Sequence, residues 1–242
     1  MKYLHLWISK IGLKRLDNED AVGVFEIDGG ILAILCDGLG GNKAGEVASQ
    51  LTIDTVRNVF SDMNDADILA KIKSAIMESN KIIINNSKFD SDLKGMATTA
   101  EVLFLKDDNA YWGHIGDSRI YQLKNKNLKQ LTKDHSLVQK LVDEGYLTMK
   151  EAENHPNKNI IMRALGDSEV VEVDLSKQKI NSGDNIKFFI CSDGVTAVLS
   201  DDELQNILLG NNLDVISNTL TSLIEERGAP DNFSYIIISE AS

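Results

Sequence analysis

The chain of 242 residues has only two cysteines, Cys36 and Cys191, and two prolines, Pro156 and Pro230. Two cysteines without zinc-ligand spacing exclude a disulfide framework and a thiolate-bound structural metal. Both lie inside apolar runs, so each is expected to be a buried small hydrophobe. With few prolines and no repeat, low-complexity tract or Gly/Ser-rich linker, the chain is expected to form one domain over residues 1–242. No apolar run of about 18 residues is present to cross a bilayer. The opening MKYLHLWISK has too short an apolar patch for a secretory leader and no small-residue cleavage site behind it, so a cytoplasmic location is expected. Basic charge is also scarce: 25 Lys and Arg against 37 Asp and Glu give a net charge of −12. That balance argues against a broad basic surface for nucleic acid or anionic lipid. The acid excess either solvates the surface or gathers to hold cations.

Several catalytic signatures are missing too. No G-x-x-x-x-G-K-[ST] phosphate loop and no G-x-S-x-G elbow occur. A cysteine-dependent phosphatase needs an arginine six positions after its nucleophile, yet that position is Asn42 after Cys36 and Ala197 after Cys191. The four histidines, His5, His114, His135 and His155, do not stand at metal-ligand spacing, and structural or surface roles are expected for them.

Among what is present, seven runs rich in Val, Ile, Leu, Phe or Tyr read as strands: 21–27, 31–36, 100–105, 110–115, 119–123, 186–192 and 234–239. The turns at Asp28-Gly29-Gly30 and at 106–109 predict antiparallel hairpins. Helical period places Ala44, Ala48, Leu51, Thr55 and Val59 on one face, and Ile68, Ile72, Ala75 or Ile76, Ser79 and Ile83 on another. Ser200-x-x-Glu203 is a capping box before Leu204, Ile207 and Leu208, and Leu213, Ile216, Leu220 and Leu223 mark a further helix. Hairpins mixed with one-sided helices predict packed antiparallel sheets covered by helices. Residues 134–165 form a polar excursion with two short helices, the second opened by Thr148-x-x-Glu151.

Asp37-Gly38, after the apolar run 31–36, reads equally as a hairpin turn. The arrangement recurs, however, at Asp193-Gly194 after KFFICS, and Asp117 sits at a Gly-flanked break in GHIGDSRIY. Asp231 precedes the last strand, while Arg15, Glu19 and Asp20 precede the first long one. If these strand ends open on one side, the six acids converge, and unpaired carboxylates packed together shift their pKa values or need a counter-charge. Oxygen ligands suit hard divalent ions, Mg²⁺ or Mn²⁺. Two such ions about 3.5–4 Å apart can activate a water for in-line attack on phosphorus. Arg15 can hold a phosphate bidentately, or else form a surface ion pair with Asp17 or Glu19.

In order along nearly the whole chain stand RLDNEDA, CDGLGGNKAGEVAS, GMATTA, GHIGDSRIY, LTKDHSLVQKLVDEG, NHPNKNIIMRALG, ICSDGV and APDN. The set resembles the metal-dependent, type 2C Ser/Thr protein phosphatases in their compact bacterial form. The resemblance implies an α+β fold, a four-layer α-β-β-α sandwich of two antiparallel sheets flanked by helices. It implies that Asp37 bridges two metals, that Asp193 and Asp231 complete the first site, and that the Gly38 carbonyl and Glu19 serve the second. Asp117 with Asp193 would take a third ion, Asp20 and Asn232 would orient water, and Arg15 would hold substrate phosphate. A bridging hydroxide would hydrolyse phosphoserine or phosphothreonine directly. The implied partners are phosphoproteins and a cognate kinase, with the protein a monomer. A binding-only pseudophosphatase and a phosphatase of small phosphorylated molecules are the alternatives. The pattern departs from many relatives at Leu39, where His or Met is common, and at Lys158, where Arg is common, within a flap spanning 134–165.

Overall fold

A computed structural model describes residues 3–40, 44–61, 67–181 and 183–241; part of the glycine-rich segment after Asp37, residues 41–43, lies outside these. The strands are β1 (Tyr3–Lys10), β2 (Ala21–Ile27), β3 (Gly30–Cys36), β4 (Gly38–Leu39), β5 (Ala97–Thr98), β6 (Ala100–Lys106), β7 (Asn109–Ile115), β8 (Arg119–Lys124), β9 (Asn127–Gln130), β10 (Asp174–Lys179), β11 (Lys187–Cys191) and β12 (Phe233–Glu240). The helices are α1 (Ala44–Ser61), α2 (Ile68–Phe89), α3 (Leu137–Asp143), α4 (Met149–Glu153), α5 (Asp193–Thr196), α6 (Asp201–Leu208) and α7 (Leu213–Glu226). Two five-stranded antiparallel sheets form, in the orders β1-β12-β11-β8-β9 and β10-β7-β6-β3-β2, with β4 and β5 paired separately.

Strand alternation builds the layers. In β3, Leu32, Ile34 and Cys36 face α1 and α2, whereas Ile31, Ala33 and Leu35 face the other sheet, which is why the run is apolar throughout. In β11, Phe189 and Cys191 face the α5–α7 side, and Phe188 and Ile190 enter the layer between the sheets. The result is the expected four-layer sandwich, and both cysteines are buried and free. At about 25 cal/mol per Å² of apolar surface removed from water, such doubly buried strands supply much of the stabilisation.

Both hairpins occur, as β2–β3 and β6–β7. Capping boxes open α4 at Thr148 and α6 at Ser200. The buried face of α1 is wider than expected: Ala44, Ala48 and Thr55 are buried, Ile53, Val56 and Phe60 are buried beside them, and Leu51 and Val59 pack at the margin. Five strands go beyond the seven expected: the short pair β4 and β5 and, in the two large sheets, the three strands β1, β9 and β10. All three are edges or outer strands with alternating or mostly exposed side chains. The DLSKQK of β10 places charge along an edge, which blunts unwanted pairing and also hides the strand from a hydrophobicity pattern.

Residues 134–165 carry the two expected short helices α3 and α4. The excursion is pinned at both ends: Thr98 and Leu165 exchange backbone bonds of 3.0 and 2.9 Å, and Met162 N–H donates to the His135 carbonyl at 2.7 Å.

Candidate metal centre

Register brings the strand-end acids together. Ala21 pairs with Cys36, which sets Asp20 beside Asp37 at one end of the second sheet. Cys191 pairs with both Tyr235 and Arg119, which sets Asp193, Asp231 and Asp117 around the same end of the first sheet. A hydrogen bond joins the two sheets there, from Ser192 Oγ to Asp20 Oδ2 at 2.9 Å. Asp37 is fixed through its backbone: its N–H donates to Thr99 Oγ1 at 2.9 Å, and its carbonyl accepts from Thr99 N–H and Thr98 Oγ1, each at 2.9 Å.

The two Asp-Gly pairs need glycine for space. A Cβ at Gly194 would collide with the Asn232 carbonyl oxygen, and one at Gly38 would collide with the Glu19 carbonyl oxygen. Both glycines therefore allow close backbone approach around the acids. The turn reading of Asp-Gly does not hold at Asp193, which opens α5.

The carboxylates are poorly neutralised. Burial, then the neighbouring Asp20, Asp193, Asp117 and Asp231, push the Asp37 carboxyl well up. Burial raises Asp20 to about 7 against its two serine hydrogen bonds, and burial followed by Asp193 raises Asp117 to about 8. Asp193 and Glu19 are raised as well, chiefly by burial. Glu19 Oε1, Asp20 Oδ1 and Asp117 Oδ1 are buried with no hydrogen-bond partner. Leaving such oxygens unpaired costs about 1–3 kcal/mol each, more when charged. Among the described residues no three acids or histidines already enclose a metal-sized space, so the cluster is gathered but open. An all-oxygen set with orphaned buried oxygens fits a hard divalent cation and gives a thiophilic metal nothing to bind.

Arg15 makes neither expected surface pair. Its Nη2 donates to Asp231 Oδ2 at 2.7 Å, and the guanidinium is half exposed beside the cluster. Asn232 has a structural task as well. Its Nδ2 donates to the Ile11 and Asp17 carbonyls at 2.8 and 2.9 Å, and its Oδ1 accepts from Glu19 N–H at 3.0 Å. The side chain clamps the loop that carries Arg15 and Glu19. Leu39 lies in β4, and Lys158 lines the cleft beneath the excursion.

Sequence reasoning missed three supports. Ser192 ties Asp20 to the opposite sheet, Thr99 holds Asp37 and shares a 3.0 Å hydrogen bond with Ser118, and Arg119 grips Asp134 through contacts of 3.0, 3.0 and 2.7 Å. Ser192 and Arg119 lie within two residues of Asp193 and Asp117, and that adjacency was the available signal; Thr99 lies in the segment GMATTA, far in sequence from any of the acids. His135, left as structural or surface, is buried and joins the excursion to the Asp117 loop, because its Nδ1 accepts from Gly116 N–H at 3.1 Å.

Comparison with known proteins agrees with this geometry. The family model described as Protein phosphatase 2C matches residues 14–227. The serine/threonine protein phosphatase PstP of Mycobacterium tuberculosis is 38% identical over 226 residues, covering 93% of this chain but 43% of that protein. The chain thus spans less than half the length of that relative. The serine/threonine phosphatase stp of Listeria monocytogenes is 34% identical over 233 residues, covering 94% of this chain and 92% of its own. The crystal structure of the PstP catalytic domain in complex with two manganese ions superposes with a TM-score of 0.88 at 34% identity, covering 98% and 97% of the two chains. The match over most of the length, with the strand-end acids assembled at one edge of the paired sheets, shows that this chain belongs to the protein phosphatase 2C family.

Proposed function

We propose that this protein is a Mg²⁺- or Mn²⁺-dependent serine/threonine protein phosphatase. The observation that carries the reading is the convergence of Asp37, Asp193, Asp231 and Asp117 with buried carboxylate oxygens that no protein group satisfies. Asp37, Asp193 and Asp231 would hold one cation, Asp37, Glu19 and the Gly38 carbonyl a second, and Asp117 with Asp193 a third. Bound there, such ions supply the Lewis acidity that activates water for attack on phosphorus and stabilises the developing charge.

The chain's own residues do the rest. Arg15 offers a guanidinium whose fork matches two phosphate oxygens. Asn232 keeps the Arg15–Glu19 loop against the centre, and Asp20, held by Ser192, keeps one buried oxygen without a protein partner, free to orient a water bound there. With Leu39 after Gly38, no imidazole reaches the departing Ser or Thr oxygen from that position. His135 does not replace it: burial, then the charges of His114 and Arg163, lower its pKa to about 4, and both ring nitrogens are already engaged. The leaving oxygen would take its proton from water or from another group at the site.

In this reading residues 1–242 are one catalytic domain, 134–165 are its flap, and phosphoproteins made by a Ser/Thr kinase are its substrates. No helix among the described residues is long and apolar enough to cross a membrane, and a monomer in the cytoplasm completes the proposal. Hydrolysis of p-nitrophenyl phosphate and of a phosphothreonine peptide should require added Mn²⁺ or Mg²⁺. Full activity in excess EDTA would overturn the reading.

A further inference from the structure

Beside the carboxylate cluster a cleft of about 600 Å³ runs between the flap and the segment joining α5 to α6. Its inner end is lined by Asp117 and Asp193, so it opens directly onto the site. Asp117 is 8% exposed, and its buried Oδ1 has no partner. One wall is α4 and the turn after it, with Met149, Glu153 and Lys158; the other runs from Thr196 to Glu203 at the start of α6.

The charges in this cleft do not cancel. Arg119 is neutralised by Asp134, and Glu203 by Arg227 at 3.0 Å through Nη1. Among the described residues the Asp201 carboxylate accepts only from the neutral Tyr121 hydroxyl, at 2.9 Å. Among the described residues neither Glu153 nor Asp202 has an ion-pair partner. The lining therefore carries three carboxylates without an ion-pair partner, Glu153 on one wall and Asp201 and Asp202 on the other, against one lysine, Lys158. Helix chemistry accounts for Asp202, which sits in the first turn of α6, but not for Glu153, which is the last residue of α4, where the dipole disfavours an acid. Exposed Met149 adds apolar surface on the same wall.

We propose that this cleft receives the substrate chain flanking the phosphorylated residue and selects segments that carry Lys or Arg there. The proposal rests on the phosphatase reading and names the substrate class of that same site. Complementary charge at a solvent-facing groove raises encounter and productive binding, and salt weakens it.

The test compares two phosphothreonine peptides of equal length, one with Lys and Arg at flanking positions and one with Glu, each with Mn²⁺ present. Each kcat/KM is divided by that for p-nitrophenyl phosphate on the same preparation, which cancels differences in the centre itself. The basic peptide should be favoured about tenfold at low salt, with the preference falling as salt is raised. The charge-reversed Glu153→Lys/Asp202→Lys protein should lose or invert the preference, and the milder Glu153→Gln/Asp202→Asn protein should reduce it. Equal rates on the two peptides, or a preference that survives charge reversal, with p-nitrophenyl phosphate still hydrolysed, would overturn the cleft proposal alone. Failure to hydrolyse p-nitrophenyl phosphate at all would overturn the phosphatase reading and the cleft with it.

Discussion

Two regions of this molecule bury ionisable groups and treat them in opposite ways. In the second sheet Glu101 and His114 are cross-strand partners, 0% and 1% exposed, with Nδ1 2.6 Å from Oε1. His114 Nε2 faces the Lys133 carbonyl at 2.8 Å, so both ring nitrogens meet acceptors and the pair holds a shared proton at no net charge. At the sheet ends burial, and after it neighbouring carboxylates, raise Asp20, Asp37, Asp117 and Asp193, and among the described residues Arg15 alone makes an ion pair into the cluster. The first arrangement is neutralised within the fold, with Glu101 Oε2 its one buried oxygen lacking a hydrogen-bond partner. The second is left open, which costs stability and is sensible only where something from solution completes it.

The comparison breaks most sharply by deleting one group from each region. Asp37→Ala or Asp193→Ala should lower phosphatase turnover by on the order of a thousandfold or more, because each removes charge needed at the reacting phosphate. The same variants, free of metal, should unfold at no lower urea concentration than wild type, since a repelled carboxylate has gone. In wild type, Mn²⁺ at a hundred times its Kd should add about 2.7 kcal/mol of stability, and in Asp193→Ala that gain should shrink or vanish. A large loss of metal-free stability in these variants would place the cluster in the structural class.

His114→Ala should do the reverse. It strands Glu101 fully buried without a charge partner and should cost about 3–5 kcal/mol, read as a lower urea midpoint with unchanged slope. Because the His114 ring stacks on His135 with centroids 4.4 Å apart, some loosening of the flap base should accompany it.

How much of this was legible follows from where each group lies. Strands buried on both faces declare themselves as unbroken apolar runs, so β3, β6, β11 and β12 were readable and the layered fold with them. Edge strands such as β10 bury one face or less, and nothing local distinguishes DLSKQK from a loop; its partner β7 makes it a strand. The acids were legible because repetition after apolar runs is improbable for turns, but their convergence depends on register between residues up to two hundred positions apart. The Glu101–His114 pair was recoverable in principle. Counting back from the 106–109 hairpin places the two opposite each other, yet Glu101 reads as an ordinary polar position within a strand. Arg15 illustrates the limit: its neighbours in sequence suggest Asp17 or Glu19, and only the packing of the last strand against the first loop delivers Asp231.

The smallest expected effect sharpens the contrast through pH. Burial pushes the His114 pKa down, but the Glu101 carboxylate and the Lys133 carbonyl outweigh it and carry the value from 6.5 up to about 9. Burial raises Glu101 from 4.5 to about 7 in spite of His114. For a base whose folded pKa lies above its unfolded one, stabilisation is complete below about pH 6.5 and is lost as pH rises through about 9. For an acid raised by burial, a penalty develops as pH rises from about 4.5 to about 7. Both signs agree, and between pH 7 and 9 the His114 proton alone sets the pair's slope, at most about 1.4 kcal/mol per pH unit. Urea unfolding of the metal-free protein across that range should therefore show falling stability. The non-titrating Glu101→Gln/His114→Gln protein should lose this part of the slope and keep the part belonging to the carboxylate cluster. The difference between the two curves isolates the closed pair, because the double variant leaves the strand-end acids untouched. Identical slopes would mean that Glu101 and His114 hold their proton no more tightly in the fold than in the unfolded chain, and that the two regions are not opposites after all.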